Sequence, residues 1–192
     1  MVFDFKKEYK DLYQAKKIPT IVSVPEIPYI AVHGKGDPNA EKGEYAEAIT
    51  LSYAIAYTIR MSHKNGGAIP GYFEYVVPPL EGLWWLADGS AGMDYTAKDR
   101  LAWVSLIRLP DFVTQEVFEW AKETVAQKKK RAVSKAEMLV LTERLTAQIL
   151  HRGPYDDEPA TVEVLHTYLE TTDYELDLSA IRHPIKKRGN RL

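Results

Sequence analysis

At 192 residues and 45% hydrophobic content, the chain has apolar material for a proper core, in one domain or two small lobes. Its 25 basic and 27 acidic residues leave a net charge of -2, which excludes the electrostatic footprint of a nucleic-acid or anionic-membrane binder. Cysteine is absent, and with it disulfides, thiolate nucleophiles and cysteine-ligated metals.

The N-terminal stretch from Met1 to Lys7 has no continuous apolar segment of the kind a secretory leader needs. The longest apolar-rich run, Ala46 to Met61, is broken by Glu47, Thr50, Ser52 and Thr58, so a soluble cytoplasmic protein is expected. Between Met1 and Ala15, the spacing of Tyr9, Leu12 and Tyr13 gives a short helical stripe. From Pro19 the chain turns strand-like, at Thr20 to Val24 and again at Tyr29 to His33, with Pro25 and Pro28 demanding a bulge or an edge position between them. Gly34-Lys35-Gly36 is not a phosphate loop, because the spacing G-x-x-x-x-G-K-[ST] is missing. Tyr45 to Lys64 reads as the longest helix, with one apolar stripe at Ala48, Ile49, Ala56 and Ile59 and another at Leu51, Ile55 and Tyr57. Tyr53 and Tyr57 share a face of it, to pack under a sheet or to turn hydroxyls toward a ligand. Asn65-Gly66-Gly67 ends the helix.

Next comes the most conspicuous stretch, Val76 to Leu86, in which one carboxylate stands beside two tryptophans at a corner punctuated by Pro78, Pro79 and Gly82. Strand-like runs on both sides predict a hairpin, opened by Tyr72 to Val77. Adjacent strand residues point to opposite faces, so parity puts Trp85, and not Trp84, on the face of Glu81. Asp88 to Asp99 is rich in Gly, Asp and Ser and reads as a linker, and strand character returns from Leu101 to Leu109. Thr114 is a candidate cap, with Glu116 just inside, for a helix to about Lys130 whose buried stripe is Val117, Trp120, Ala121 and Thr124. Glu137 to Thr142 and Leu145 to His151 predict a second hairpin, and its corner echoes Leu80 to Leu83. Pro159 at the start of a helix through Val162, Leu165, His166 and Leu169, then a last strand from Tyr174 to Ser179, complete the chain before a basic tail. The order strand, helix, strand, strand thus occurs twice, at about 19–87 and about 100–180 around a linker at 88–99. It predicts an α+β fold, one domain over residues 1–192, built as a duplicated strand-helix-strand-strand (SHS2-type) repeat that forms an antiparallel sheet with a central ligand cleft.

The five histidines show no metal-binding spacing, and no cofactor of any kind is expected. No serine sits in a G-x-S-x-G elbow, and no dinucleotide fingerprint is present. What remains is carboxylates near aromatics: Glu74, Glu81, Glu143, Glu175 and Asp177, in a chain with 12 tyrosines and 4 tryptophans. Such aromatics suit a pocket wall as well as an ordinary core. A carboxylate walled by indoles loses solvation and is moved toward acid-base work, or stays charged and attracts a cation. Glu81 and Glu175 are the two best placed for this.

Three segments, Pro79 to Trp85, Trp103 to Thr114 and Gln148 to Thr161 with its H-x-G-P-Y run, resemble the GyrI-like small-molecule-binding domain proteins over nearly the whole chain from about Pro19. The resemblance implies the same duplicated fold with a ligand cleft. It is nearest to the stand-alone branch similar to hydrolases that open cyclopropane rings of DNA-alkylating natural products, no DNA-binding segment being expected ahead of the domain. Tyr174 to Leu178 only approximates that family's final strand. The hydrolase reading makes Glu81, Glu175 and Tyr155 the catalytic set, and Trp84, Trp85, Trp103, Tyr75 and Tyr53 the ligand-binding set. A carboxylate directs water at the strained ring while Tyr155 donates to the carbonyl that takes up charge. The partner implied is a hydrophobic or cationic aromatic small molecule, with no direct nucleic acid, no membrane and a homodimer as one open assembly. A non-catalytic sensor or sequestering protein would use the same residues. Inhibition of a large enzyme through an exposed patch is the third reading.

Overall fold

The computed structural model describes residues 2–65, 69–90, 97–129, 132–154, 157–176 and 185–187. The chain forms two compact units, one of Met1–Phe5 with Ile27–Leu141 and the other of Lys6–Glu26 with Thr142–Leu192. Strands β2 (Thr20–Lys35) and β6 (Ala136–Gln148) each contribute residues to both.

The first unit holds β1 (Phe3–Asp4), α3 (Glu44–Arg60), β3 (Tyr75–Val76), β4 (Leu80–Leu86), β5 (Leu101–Arg108) and α4 (Gln115–Lys129), with most of β2 and the start of β6. Four strands make a sheet in the order β4-β5-β2-β6, and the β4/β5 and β2/β5 pairs are antiparallel. One face of that sheet is packed by α3 and α4, whose Ala48, Leu51, Ile55, Ile59, Phe118, Ala121 and Val125 form a single core with Ile30, Val32, Trp103 and Ile107. Helix α4 is capped by Thr114, whose hydroxyl accepts from the Val117 N–H. The hydroxyl of Thr114 also holds the Glu116 carboxyl below its ordinary range.

Several sequence expectations are corrected here. The runs around Pro25 and Pro28 are one strand, and β2 pairs with β5 only from Tyr29 to Lys35, so neither proline takes a donor from that ladder. Strand β3 does not form a hairpin with β4; it lies parallel to β1, and β4 finds its partner in β5. The second predicted hairpin is the continuous β6, in which Arg144 takes a left-handed φ of 60° at the expected corner without breaking the strand. In α4 the buried stripe is Phe118, Ala121 and Val125, while Trp120 is exposed. Of the Tyr53 and Tyr57 pair in α3, Tyr57 is exposed and Tyr53 packs against the core.

The second unit contains most of α1 (Phe5–Glu8), α2 (Lys10–Tyr13), α5 (Glu158–Glu170) and the antiparallel pair β7 (Tyr174–Leu176) and β8 (Ile185–Lys187). Its small core joins Leu165 and Leu169 of α5 to Ala147 of β6. Pro159 stands in the first turn of α5, where its missing N–H has no helical partner to lose.

Candidate functional site

The register of the sheet assigns each side chain to a face. Glu81, Leu83 and Trp85 of β4 stand opposite Leu106, Val104 and Ala102 of β5, which in turn stand opposite Ala31, His33 and Lys35 of β2. These residues therefore share one face, the one opposite the helices, together with Arg108 and its partner Tyr29. Trp84, Gly82, Trp103 and Gly34 belong to the helix-covered face.

On the face away from the helices the chemistry is graded along the strands. Tyr29 is 2% exposed, and its hydroxyl donates to Oε2 of the half-buried Glu81 at 3.4 Å, reaching over β5 from β2 to β4. Arg108, 4% exposed, stands beside Tyr29 with its guanidinium carbon 4.8 Å from the ring centre of Phe5. Phe5 makes edge contacts with Phe3 and Tyr75, and that aromatic cluster closes this end of the face. Toward the other end Ala102 and Trp85 are half-buried, like Glu81, and the His33 side chain is 53% exposed. There His33 Nε2 meets Glu137 Oε1 of β6 at 2.7 Å. Between the two ends, Leu83, Val104, Leu106 and Ala31 are apolar and buried.

This arrangement brings together only part of the expected set. Glu81 and Trp85 lie on one face, two pairs apart along β4. Trp84 turns to the helix side, its ring centre 4.9 Å from that of Tyr45 and 6.5 Å from that of Trp103. Trp103 is wholly buried beneath α3. Tyr75 is buried in the aromatic cluster on β3, and burial pushes its phenol well above the ordinary range, more than the nearby Arg60 lowers it. Tyr53 lies on α3, its ring centre 6.2 Å from that of Tyr57. Glu175 is an exposed residue of β7, in the second unit. Tyr155 lies outside the described residues.

Sequence reasoning missed Tyr29, His33, Arg108 and Glu137. Tyr29 and His33 alternate with Ala31 along one strand, so their shared face was available from parity. What joins them to Glu81 is the pairing of β2 and β4 with β5, which no local pattern reveals. The second unit also has a cavity of about 470 Å³, lined by Asp11, Gln14, Lys16, Ser23 and Gln148 among others. All of these belong to the second unit, and none is in the Glu81 set. Among the described residues no three His, Asp or Glu side chains are grouped as a metal site requires, and no helix is long and apolar enough to cross a membrane.

A four-stranded sheet backed by helices on one face, with a carboxylate and an indole on the other, is the frame of a small-molecule-binding module. The model of the GyrI-like small molecule binding domain matches residues 18–182, and the chain belongs to that family. Among solved structures it is similar to a hydrolase from Listeria innocua encoded by lin2189, with 42% identity over 95% of this chain and 87% of that one and a TM-score of 0.86. A second structure, a hydrolase from the same organism, is 41% identical over 94% of this chain and 86% of that one, with a TM-score of 0.83. An uncharacterized conserved protein from Listeria innocua is 42% identical over 94% of this chain and 86% of that one, with a TM-score of 0.85. No curated protein matches.

Proposed function

We propose that this protein binds flat, hydrophobic aromatic compounds on the sheet face of Glu81 and Trp85 and hydrolyses a strained, carbonyl-conjugated ring of the cyclopropanoid type. The observation that carries the reading is the pair of Tyr29 and Glu81: a buried hydroxyl donates to a half-buried carboxylate at 3.4 Å, on the same face as a part-exposed indole. A donor reaching from two strands away offsets the lost solvation of the carboxylate and fixes its orientation, as a carboxylate that must meet a water molecule requires. Trp85 gives the ligand a face to stack on, and the buried Leu83, Val104 and Leu106 beside Glu81 keep bulk water from the sheet there.

In the reaction, Glu81 takes a proton from water as the water oxygen attacks the strained ring carbon. The ring carbon–carbon bond breaks, and its electron pair passes through the conjugated system to the carbonyl oxygen, which is then protonated. The net change is addition of water. Relief of ring strain drives it, so one oriented carboxylate and one proton donor suffice. Trp103 and Trp84, on the helix side, support the sheet that presents these groups. The hydrolases similar in structure favour this reading over sequestration without chemistry.

The test is incubation of the purified protein with an aromatic compound bearing a carbonyl-conjugated cyclopropane, following addition of water by mass. Wild type should turn over, and Glu81→Gln, which keeps the shape and the Tyr29 contact, should lose roughly 10²-fold or more in kcat. Saturable quenching of tryptophan fluorescence without product would leave a binding protein and overturn the hydrolysis.

A further inference from the structure

The cavity of the second unit has a lining unlike that of the Glu81 face. Its volume of about 470 Å³ falls within the range of roughly 300–1,000 Å³ that small-molecule sites occupy, and among the described residues no aromatic side chain lines it. Its exposed rim carries one carboxylate, Asp11, and one ammonium, Lys16, while Ile21, Val22 and Gln148 on the strand side are half-buried. The rim is fixed where it crosses the end of β6: Gln148 Nε2 donates to the Asp11 carbonyl at 2.7 Å, and the Leu150 N–H donates to the Lys16 carbonyl at 2.7 Å. Gln14, on the same rim, donates its Nε2 to the Lys6 carbonyl at 3.1 Å. Both carboxamides thus use an N–H on backbone and keep Oε1 as an acceptor. The side chains of Asp11 and Lys16 make no hydrogen bond or ion pair with any described residue. Asp11, Gln14 and Lys16 also precede residue 18, where the match to the GyrI-like domain begins, so this rim is added to the domain and not drawn from it.

We propose that this cavity binds a small zwitterion of the amino-acid or dipeptide class, with the ligand's ammonium at Asp11 and its carboxylate at Lys16. The proposal is independent of ring hydrolysis at Glu81. A carboxylate and an ammonium that stand on one rim without partners are matched by a ligand that carries both signs. A ligand of one sign gains one partner there and is opposed by the other, and a neutral polyol gives neither charge a counter-charge. The amide oxygens of Gln14 and Gln148 only accept, so they add to the end where the ligand presents its N–H donors. Ile21 and Val22 supply a short apolar contact for an aliphatic side chain, and not the stacking surface that a flat aromatic compound needs.

The experiment screens the full chain by saturation-transfer NMR against glycine, L-valine, L-glutamine, glycyl-L-valine and glycyl-L-glutamine, with glucose as the polyol control. Any binder is then titrated beside its N-acetylated and its C-amidated form. At least one zwitterion should bind saturably, and blocking either of its charges should weaken it about tenfold or more. Asp11→Asn should weaken the parent ligand to the same extent and leave the N-acetylated form unchanged, while Lys16→Gln should do so for the parent and leave the amidated form unchanged. Both residues are exposed, so the two variants should keep the Tm of wild type. Binding of the free amino acid alone, or of the dipeptide alone, supports the proposal and sets the length of the ligand. No saturable signal from any zwitterion, binding of glucose only, or binding that neither substitution weakens would each overturn it.

Discussion

The two faces of the β4-β5-β2-β6 sheet are built from neighbouring residues and do opposite work. On the helix side Trp103 is entirely buried, its ring packed over Gly34, and Trp84 lies over Gly82 so closely that a Cβ there would fall 2.7 Å from the indole nitrogen. Glycine at these positions makes room for rings that would otherwise have none. One residue on from Trp84, Trp85 is likewise half-buried but faces the other way, and shares its surface with Glu81. The same residue type thus packs against the core at one position and faces away from the helices at the next, by nothing more than the two-residue period of a strand. Conspicuous aromatics in a sequence therefore say little about a site until their faces are known.

The largest effect that tests this contrast is on the packed side. Trp103→Ala should cost about 3–5 kcal/mol in denaturant unfolding, since it empties a fully buried indole beneath α3. If the loss were under about 1 kcal/mol, the ring would not be the centre of that core. Gly34→Ala should follow at about 1–3 kcal/mol, because the added methyl group meets a ring that surrounding side chains hold in place. On the open side, Trp85→Ala should leave stability within about 1 kcal/mol of wild type and weaken an aromatic ligand about tenfold, measured by fluorescence titration. Equal losses of stability for Trp103→Ala and Trp85→Ala would erase the distinction between the faces.

How much of this could be read beforehand follows from the range of the interactions concerned. The association of Glu81 with Trp85 needs only residues four apart on one strand, and parity supplies it. The start of α3 and the cap of α4 at Thr114 are likewise local and legible, whereas α3 ends at Arg60, with a 3-10 turn from Ser62 to Asn65 where the spacing predicts a helix running on to Lys64. The partners of β3 and β4 are not local: β3 pairs with residues at the far N-terminus, and proline corners look alike whether or not the strands beside them pair. The polar corner at Thr142 to Arg144 resembles a hairpin turn, yet a single left-handed residue lets β6 run on. Tyr29 gains its meaning only across β5, from Glu81, which stands 52 positions further along the chain.

The contrast of faces depends on register, because a slip of one residue between β4 and β5 would exchange every side chain of β4. The connection that holds the register closes at Asp88. Its carboxylate accepts from the hydroxyl of Ser90 at 2.6 Å and from the Ser90 N–H at 3.0 Å, and pairs with Arg100 just before β5, beside the bond from Ala87 N–H to the Arg100 carbonyl. These donors, those of Ser90 foremost, hold the carboxyl down to about 2. Its folded value is lower than its unfolded one, so the stability it contributes is present above the unfolded value of 3.8 and disappears as pH falls from there through about 2. Asp88→Asn should therefore lower Tm slightly at neutral pH, with the gap to wild type closing across that acid window. The group is fully exposed, so the gap should also shrink in high salt. A gap that is the same at pH 2 and pH 7 would show that the turn is held by its backbone bonds alone, and that the ion pair has no part in keeping Glu81 and Trp85 on their face.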